Sequence, residues 1–271
     1  MWTPFRTSVP RLSLLKRPRN SGAWKASLAT VSLISLFLGG SIIANDHSNR
    51  SLEGVAVDPS IEPFPNHIAS SENTLFSSDY KLIASGVRSV TFMSFKVYGV
   101  GLYIPAKSEK TLVSVISEYL KAHPEQTAQS VLEDKTTSQE LVAQICQNVP
   151  YAMKITPVRN TDYGHLRDGL TKSILANPMA KALKEEVSKG VEELRNVFLE
   201  FRGSVPKNDT LWVVSDTSET TIAHEGKSMK TMGSVMEPVI ARVLLVLYLS
   251  SAKPLSEPLR KDFVRYIGGL C

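Results

Sequence analysis

The strongest strand pattern lies in residues 80–106. "YKLIASGVRSVTFMSF" and "KVYGVGLYIPA" are rich in Val, Ile, Phe and Tyr, and Pro105 closes the second run, so both are predicted strands. Helical spacing then takes over. "KTLVSVISEYLKAH" stops before Pro124, "SQELVAQICQNV" stops before Pro150, and "DYGHLRDGLTKSILA" has its N-cap at Thr161 or Asp162. The clearest helix is "NPMAKALKEEVSKGVEELRNVFLEFRG", with Asn177 as N-cap, Pro178 in the first turn and Gly203 at the end. Its residues Met179, Leu183, Val187, Val191, Leu194, Phe198 and Phe201 make one apolar stripe. "TLWVVS" and "TTIAHEG", joined by "DTSE", read as a hairpin, and two helices end the chain. The first of these, "VIARVLLVLYLS" (239–250), is too short to span a bilayer and contains Arg242, so it is predicted to be a buried helix. Strands, helices, a hairpin and more helices form an α+β order, with helices packed on an antiparallel sheet.

Ahead of this domain (79–271) the pattern changes. Residues 46–78 combine Ser, Asn and prolines with no clear period and read as a linker. Residues 26–45, "ASLATVSLISLFLGGSIIAN", carry no charge and are bounded by Lys25 and Asp46. A helix of that length spans roughly 30 Å, the thickness of a bilayer core. Residues 1–25 hold Arg6, Arg11, Lys16, Arg17, Arg19 and Lys25 and no acid, the composition of a mitochondrial transit peptide. The basic flank should remain on the matrix side. The expected arrangement is therefore a single-pass inner-membrane protein, anchored through 26–45, with its folded part facing the intermembrane space. The alternative is a long presequence removed entirely.

The charge balance removes one class of function. The chain of 271 residues has a formal net charge of +5, but setting those six basic residues aside leaves 25 basic against 26 acidic residues. A nucleic-acid binder carries its basic surface in the folded part, so no nucleic-acid partner is expected. Cys146 sits among apolar neighbours and Cys271 ends the chain; they make no metal or disulfide pattern, and Cys146 reads as a buried, inert thiol. There is no GxGxxG, P-loop, HExxH or GxSxG motif with a plausible triad. The five histidines show no ligand spacing. Glu185, Glu186, Glu192 and Glu193 alternate with lysines as a solvated helix face.

Arg88 is the residue that stands out. Residues 86–104, "GVRSVTFMSFKVYGVGLYI", hold only two charges, Arg88 and Lys96. Arg88 either snorkels at a sheet edge or meets an anion at the mouth of a pocket, since its guanidinium stays charged and offers a fork of donors.

This stretch resembles the opening signature of the chalcone isomerase family: Gly-x-Arg, a strand, a tight turn, then Lys-Val-Tyr-x-x-Gly-x-Tyr. "ITPVRNTDYGHLRDGL" is similar to the family's next block and "GKSMKTMGSVMEPVIARVLL" to its last. The similarity covers about 79–271, and the leader ahead of it resembles the family's fungal mitochondrial branch. The resemblance implies a large antiparallel sheet with packed helices and a ligand cleft between them. In chalcone isomerases an arginine of the first block guides the substrate phenolate, and Arg88 stands in its place. A threonine and a tyrosine place water on the ketone oxygen; Tyr98 and Tyr163 match those positions. Two polar residues that hold the flavonoid hydroxyls are replaced by Leu170 and Pro238, which argues against flavonoid chemistry.

An apolar cleft with an arginine at its mouth would suit an amphipathic acid. The first expectation, implied by the resemblance, is non-enzymatic binding of haem, with Arg88 on a propionate and His165 as axial ligand. The second is binding of a fatty acid, and the third is isomerisation of an unknown enone through Arg88, Tyr98 and Tyr163.

Overall fold

The structure, a computed structural model, describes residues 54–90 and 95–270. The predicted targeting segment (1–25), the predicted anchor (26–45), the start of the linker, residues 91–94 and Cys271 lie outside the described residues. Among the described residues no helix is long and apolar enough to cross a membrane.

Three short strands come first: β1 (Gly54–Val55), β2 (Phe64–Pro65) and β3 (His67–Ile68). The two long strands expected from the sequence follow as β4 (Tyr80–Val90) and β5 (Phe95–Pro105). Next come α1 (Glu109–Ala122), α2 (Ala128–Glu133), α3 (Thr137–Asn148), β6 (Tyr151–Pro157) and β7 (Thr161–Asp162). The central helices are α4 (Tyr163–Ala176), α5 (Pro178–Ala182) and α6 (Lys184–Val197). The strands β8 (Ser204–Val205), β9 (Thr210–Ser215), β10 (Thr220–Glu225) and β11 (Met229–Val235) precede α7 (Val239–Leu249) and α8 (Glu257–Gly268). The described residues form a seven-stranded antiparallel sheet in the order β11-β10-β9-β6-β5-β4-β3.

One face of the sheet carries the helices. Alternate residues of β5, Val100, Leu102 and Ile104, join the main core with Ile155 of β6 and Val213 of β9. The predicted buried helix is α7, whose residues are buried except for Arg242; it packs against α3, α4, α6 and α8. Asp162 caps α4 by accepting the His165 amide. Cys146 is buried in this layer, which pushes its thiol up to about 12, as the inert reading requires.

The long helix expected from 177 onward is two helices. Asn177 caps α5 through the Met179 amide, but Leu183 leaves helical geometry at φ −112° and ψ 50° and α6 starts afresh. Apolar spacing cannot reveal this break, because one non-helical residue leaves the three-and-four pattern on either side intact.

The linker reading of 46–78 fails for 54–78, which belong to the folded unit. The second face of the sheet presents Tyr103, Ala152, Trp212 and Ala223, an apolar surface that must be covered. Ile61, Phe64, Ile68 and Phe76 are buried there. Phe76 lies 5.2 Å edge-on to Trp212, and the Tyr103 hydroxyl donates to the Pro65 carbonyl at 3.0 Å. The bare Gly101 makes room for the Phe64 ring, since a Cβ there would stand 2.8 Å from Phe64 Cδ2. These residues dock singly on a ready-made sheet, so they carry no period of their own. Asp58 fastens the segment: its carboxylate takes Lys96 Nζ at 2.7 Å and the Ser60 amide at 2.8 Å.

The outer edge of β4 is paired by β3 only at Tyr80 and Lys81, and α8 protects the rest. The Ser85 amide donates to the Asp262 carboxylate at 2.9 Å, and the Ser256 hydroxyl donates to the Val87 carbonyl at 2.9 Å. An edge covered in this way cannot template another chain. The approach is close enough that a Cβ on Gly86 would lie 2.3 Å from the Leu259 backbone nitrogen. That contact explains the glycine of Gly-x-Arg.

Gly86→Ala should therefore destabilise the protein by about 1–3 kcal/mol through overpacking against backbone, read as a lowered urea midpoint; an unchanged midpoint would show that α8 can retreat freely. Asp58 supplies a pH test. The Lys96 ammonium and the Ser60 donors hold its carboxyl at about 2, below its ordinary 3.8. A lowered folded-state value stabilises above the unfolded value and is lost as pH falls. Asp58→Asn should cost about 1–2 kcal/mol near neutrality, after allowance for the half-exposed lysine. The gap to the wild-type protein should narrow below pH 4 and close near pH 2 in thermal melts.

Candidate functional site

The ends of β4, β5 and β6 enclose, with α4 and Leu211 of β9, a cavity of about 620 Å³. Its walls are apolar: Val97, Ile155, Leu166, Leu170 and Leu211. A bulge in β5 shapes it. Arg88 faces Tyr98 and Ser89 faces Lys96, so Val97 is the extra residue in the ladder. An extra residue turns the following side chains to the other face. Phe95 and Val97 before the bulge and Tyr98 after it therefore all line the cavity.

Arg88 lies not at the mouth, as expected from the sequence, but toward the inner end, against the buried Tyr98, Ser173 and Tyr248. Its Nη1 donates to Tyr98 Oη at 2.6 Å and its Nη2 to Ser173 Oγ at 3.1 Å. The Tyr98 and Tyr248 hydroxyls share a hydrogen bond of 2.5 Å. Ser173 is itself held by donating to the Gly169 carbonyl at 2.7 Å. Tyr98, Ser173 and Tyr248 are all buried. Burial works against the charge of Arg88, but the oxygens of Tyr98 and Tyr248 outweigh it, and the guanidinium pKa lies above its ordinary value. Burial likewise pushes the Tyr248 phenol well above its usual range. These partners are all neutral hydroxyls. Among the described residues no carboxylate lies within ion-pair distance of Arg88, and its only side-chain partners there are the hydroxyls of Tyr98, Ser173 and Tyr248.

The mouth is more exposed. Phe95 is 47% exposed, and the Arg159 guanidinium lies 3.9 Å from its ring centroid. Asp162 and His165 complete this rim, with Nδ1 of His165 2.5 Å from Asp162 Oδ2.

The structure thus brings Arg88, Tyr98 and Leu170 to one cavity and places His165 on its rim. It does not bring Tyr163 or Pro238 there. The Tyr163 ring is taken by Phe201 at 5.6 Å and His224 at 5.4 Å, and Tyr163 is absent from the cavity wall. Pro238 is exposed at the N-cap of α7. At the helical rise it stands roughly 15 Å from Tyr248, the residue through which α7 reaches the site. The residues the sequence reading missed are Ser173, Tyr248 and Arg159. A lone tyrosine inside the apolar run of α7 was the available signal, because a buried tyrosine hydroxyl needs a partner.

A curled antiparallel sheet with one helical layer and a cavity beneath its first two long strands defines the chalcone isomerase-like class. The family model described as chalcone isomerase like matches residues 78–264, and the chain belongs to this family. Among its relatives, the "Altered inheritance of mitochondria protein 18, mitochondrial" of Debaryomyces hansenii is 46% identical over 216 residues, covering 77% of this chain and 73% of that protein. The protein of the same name from Saccharomyces cerevisiae (strain YJM789) is 29% identical over 289 residues, covering 97% and 89%. In three dimensions the chain is similar to a fatty-acid binding protein of Arabidopsis thaliana, with a TM-score of 0.58 and 18% identity. That match covers 79% of this chain and 97% of the other.

Tyr248→Phe removes one hydroxyl from the group under Arg88 and leaves the ring packing intact. It should cost about 1 kcal/mol in chemical denaturation, and full retention of stability would mean that water replaces the hydroxyl.

Proposed function

We propose that the protein binds a long-chain carboxylic acid in this cavity, without turnover, and does so in mitochondria. The observation that carries the reading is the Arg88 guanidinium, held by neutral hydroxyls at the inner end of an apolar cavity, with no carboxylate partner among the described residues. A ligand carboxylate supplies the missing counter-charge through charge-assisted hydrogen bonds, while Val97, Ile155, Leu166 and Leu170 accept the acyl chain. The name of the Arabidopsis structure supports the ligand class, and the names of the fungal relatives support the compartment. The basic flank of 1–25 supports a further placement, with 26–45 in the inner membrane and the folded part in the intermembrane space.

Haem suits the site less well. A propionate would suit Arg88, but the His165 side chain is 79% exposed. His165 also lies eight residues before Ser173 on α4, roughly 12 Å along the helix. Iron ligated there would stand at the solvent boundary, a poor position for the axial ligand of a buried haem. The enone-isomerase reading is less well supported, because Tyr163 is not among the residues that line the cavity.

The test is displacement of a fluorescent fatty acid from the purified full-length protein. Arg88→Ala should weaken binding about ten- to hundred-fold, the value of a hydrogen bond to a charged group, with the circular dichroism spectrum unchanged. Arg88→Lys, a point charge without the fork, should fall between. Equal affinity in all three proteins would refute the reading, and a Soret band that weakens in Arg88→Ala would reverse the order of ligands.

A further inference from the structure

We propose that Arg159 is a second anion subsite at the mouth, so that the preferred ligand is an acyl chain with an anionic group at each end. The proposal rests on Arg88 as the carboxylate anchor and adds a ligand class to that reading. Among the described residues, Arg159 and Arg88 are the two guanidinium groups that line the cavity. Stacking on Phe95 at 3.9 Å holds it over the opening. No carboxylate lies within ion-pair distance of it among the described residues. The rim's own acid, Asp162, is occupied by the amide and ring of His165. The neighbouring Asn160 uses its carbonyl oxygen to accept the Lys207 amide at 3.0 Å, which leaves its NH₂ group as a donor at the same mouth.

Charge is thus provided at the two ends of the cavity and apolar surface between them. Both ends are tied to β5, Arg159 through Phe95 and Arg88 through Tyr98, which face Val90 and Arg88 of β4 two residues apart, roughly 7 Å along a strand. A monocarboxylate satisfies Arg88 and lays its methyl end against the second cation. An α,ω-dicarboxylate of medium length satisfies both. The stack on Phe95 pre-orients the Arg159 fork, so little side-chain freedom is lost when the second carboxylate arrives.

The experiment compares dodecanoate with dodecanedioate by isothermal titration of the full-length protein at low ionic strength. The wild-type protein should bind the dicarboxylate about five- to ten-fold more tightly, the increment of a charge-assisted contact discounted for its exposure. Arg159→Ala should bring the ratio of the two affinities close to one, and Arg159→Glu should drive it below one. Added salt should shrink the wild-type ratio. A wild-type ratio of one, or a ratio that survives Arg159→Ala, would overturn the second subsite. Failure of the anchor is a separate result: Arg88→Ala would then leave the affinity for both acids unaltered.

Discussion

A guanidinium partly withdrawn from water without a carboxylate is costly, and the region around half-buried Arg88 is arranged to bear that cost. The hydroxyls that offset it come from three elements: Tyr98 from β5, Ser173 from α4 and Tyr248 from α7. None of these elements can supply its share until the helical layer has docked on the sheet. The inner end of the cavity is therefore a product of the whole fold, and a network of this kind is worth its full value only when every member is present. The network is neutral; a carboxylate in place of either tyrosine would neutralise Arg88 within the protein.

The sheet determines where that network can stand. Its two faces are both apolar, and both are covered, one by the helices around α7 and the other by residues 54–78. Covering the second face leaves the first to shape the cavity. The bulge at Val97 turns Phe95, Val97 and Tyr98 to the same side, where regular alternation would have divided them. On the outer edge, the close approach of α8 to Gly86 and its hydrogen bonds to Ser85 and Val87 fasten the end of β4 that carries Arg88.

Much of this was legible in the sequence where local physics is strong. The two long strands, the capped helix α4, the hairpin of β9 and β10 and the buried α7 all follow from periodicity, caps and turn residues. The failures have physical causes. β6 is buried on both sides of the sheet and so shows no alternation. β11, an edge strand, mixes Lys230, Thr231 and Ser234 with methionines and a glycine and is buried only at Val235, which removes the usual strand composition. Residues 54–78 depend on a surface supplied by other strands. Arg88 and Tyr98 fall in one contiguous motif and Leu170 ends the next, so these three lining residues could be named from the sequence. Pro238 could not be placed, because a local match does not fix which turn of a helix reaches the cavity.

The sequence by itself determined the element types, the α+β order, the family signature and the presence of an arginine that a buried strand would not otherwise carry. Only the tertiary structure decided what surrounds that arginine. Ser173 and Tyr248 lie 85 and 150 positions from their partners Arg88 and Tyr98, and no local rule links such distances along the chain. The same holds for Tyr163, which the motif assigned to the site and Phe201 and His224 drew away. Side-chain chemistry is written locally, but whether a hydroxyl meets a guanidinium depends on how sheet and helices pack, and that is a property of the folded chain.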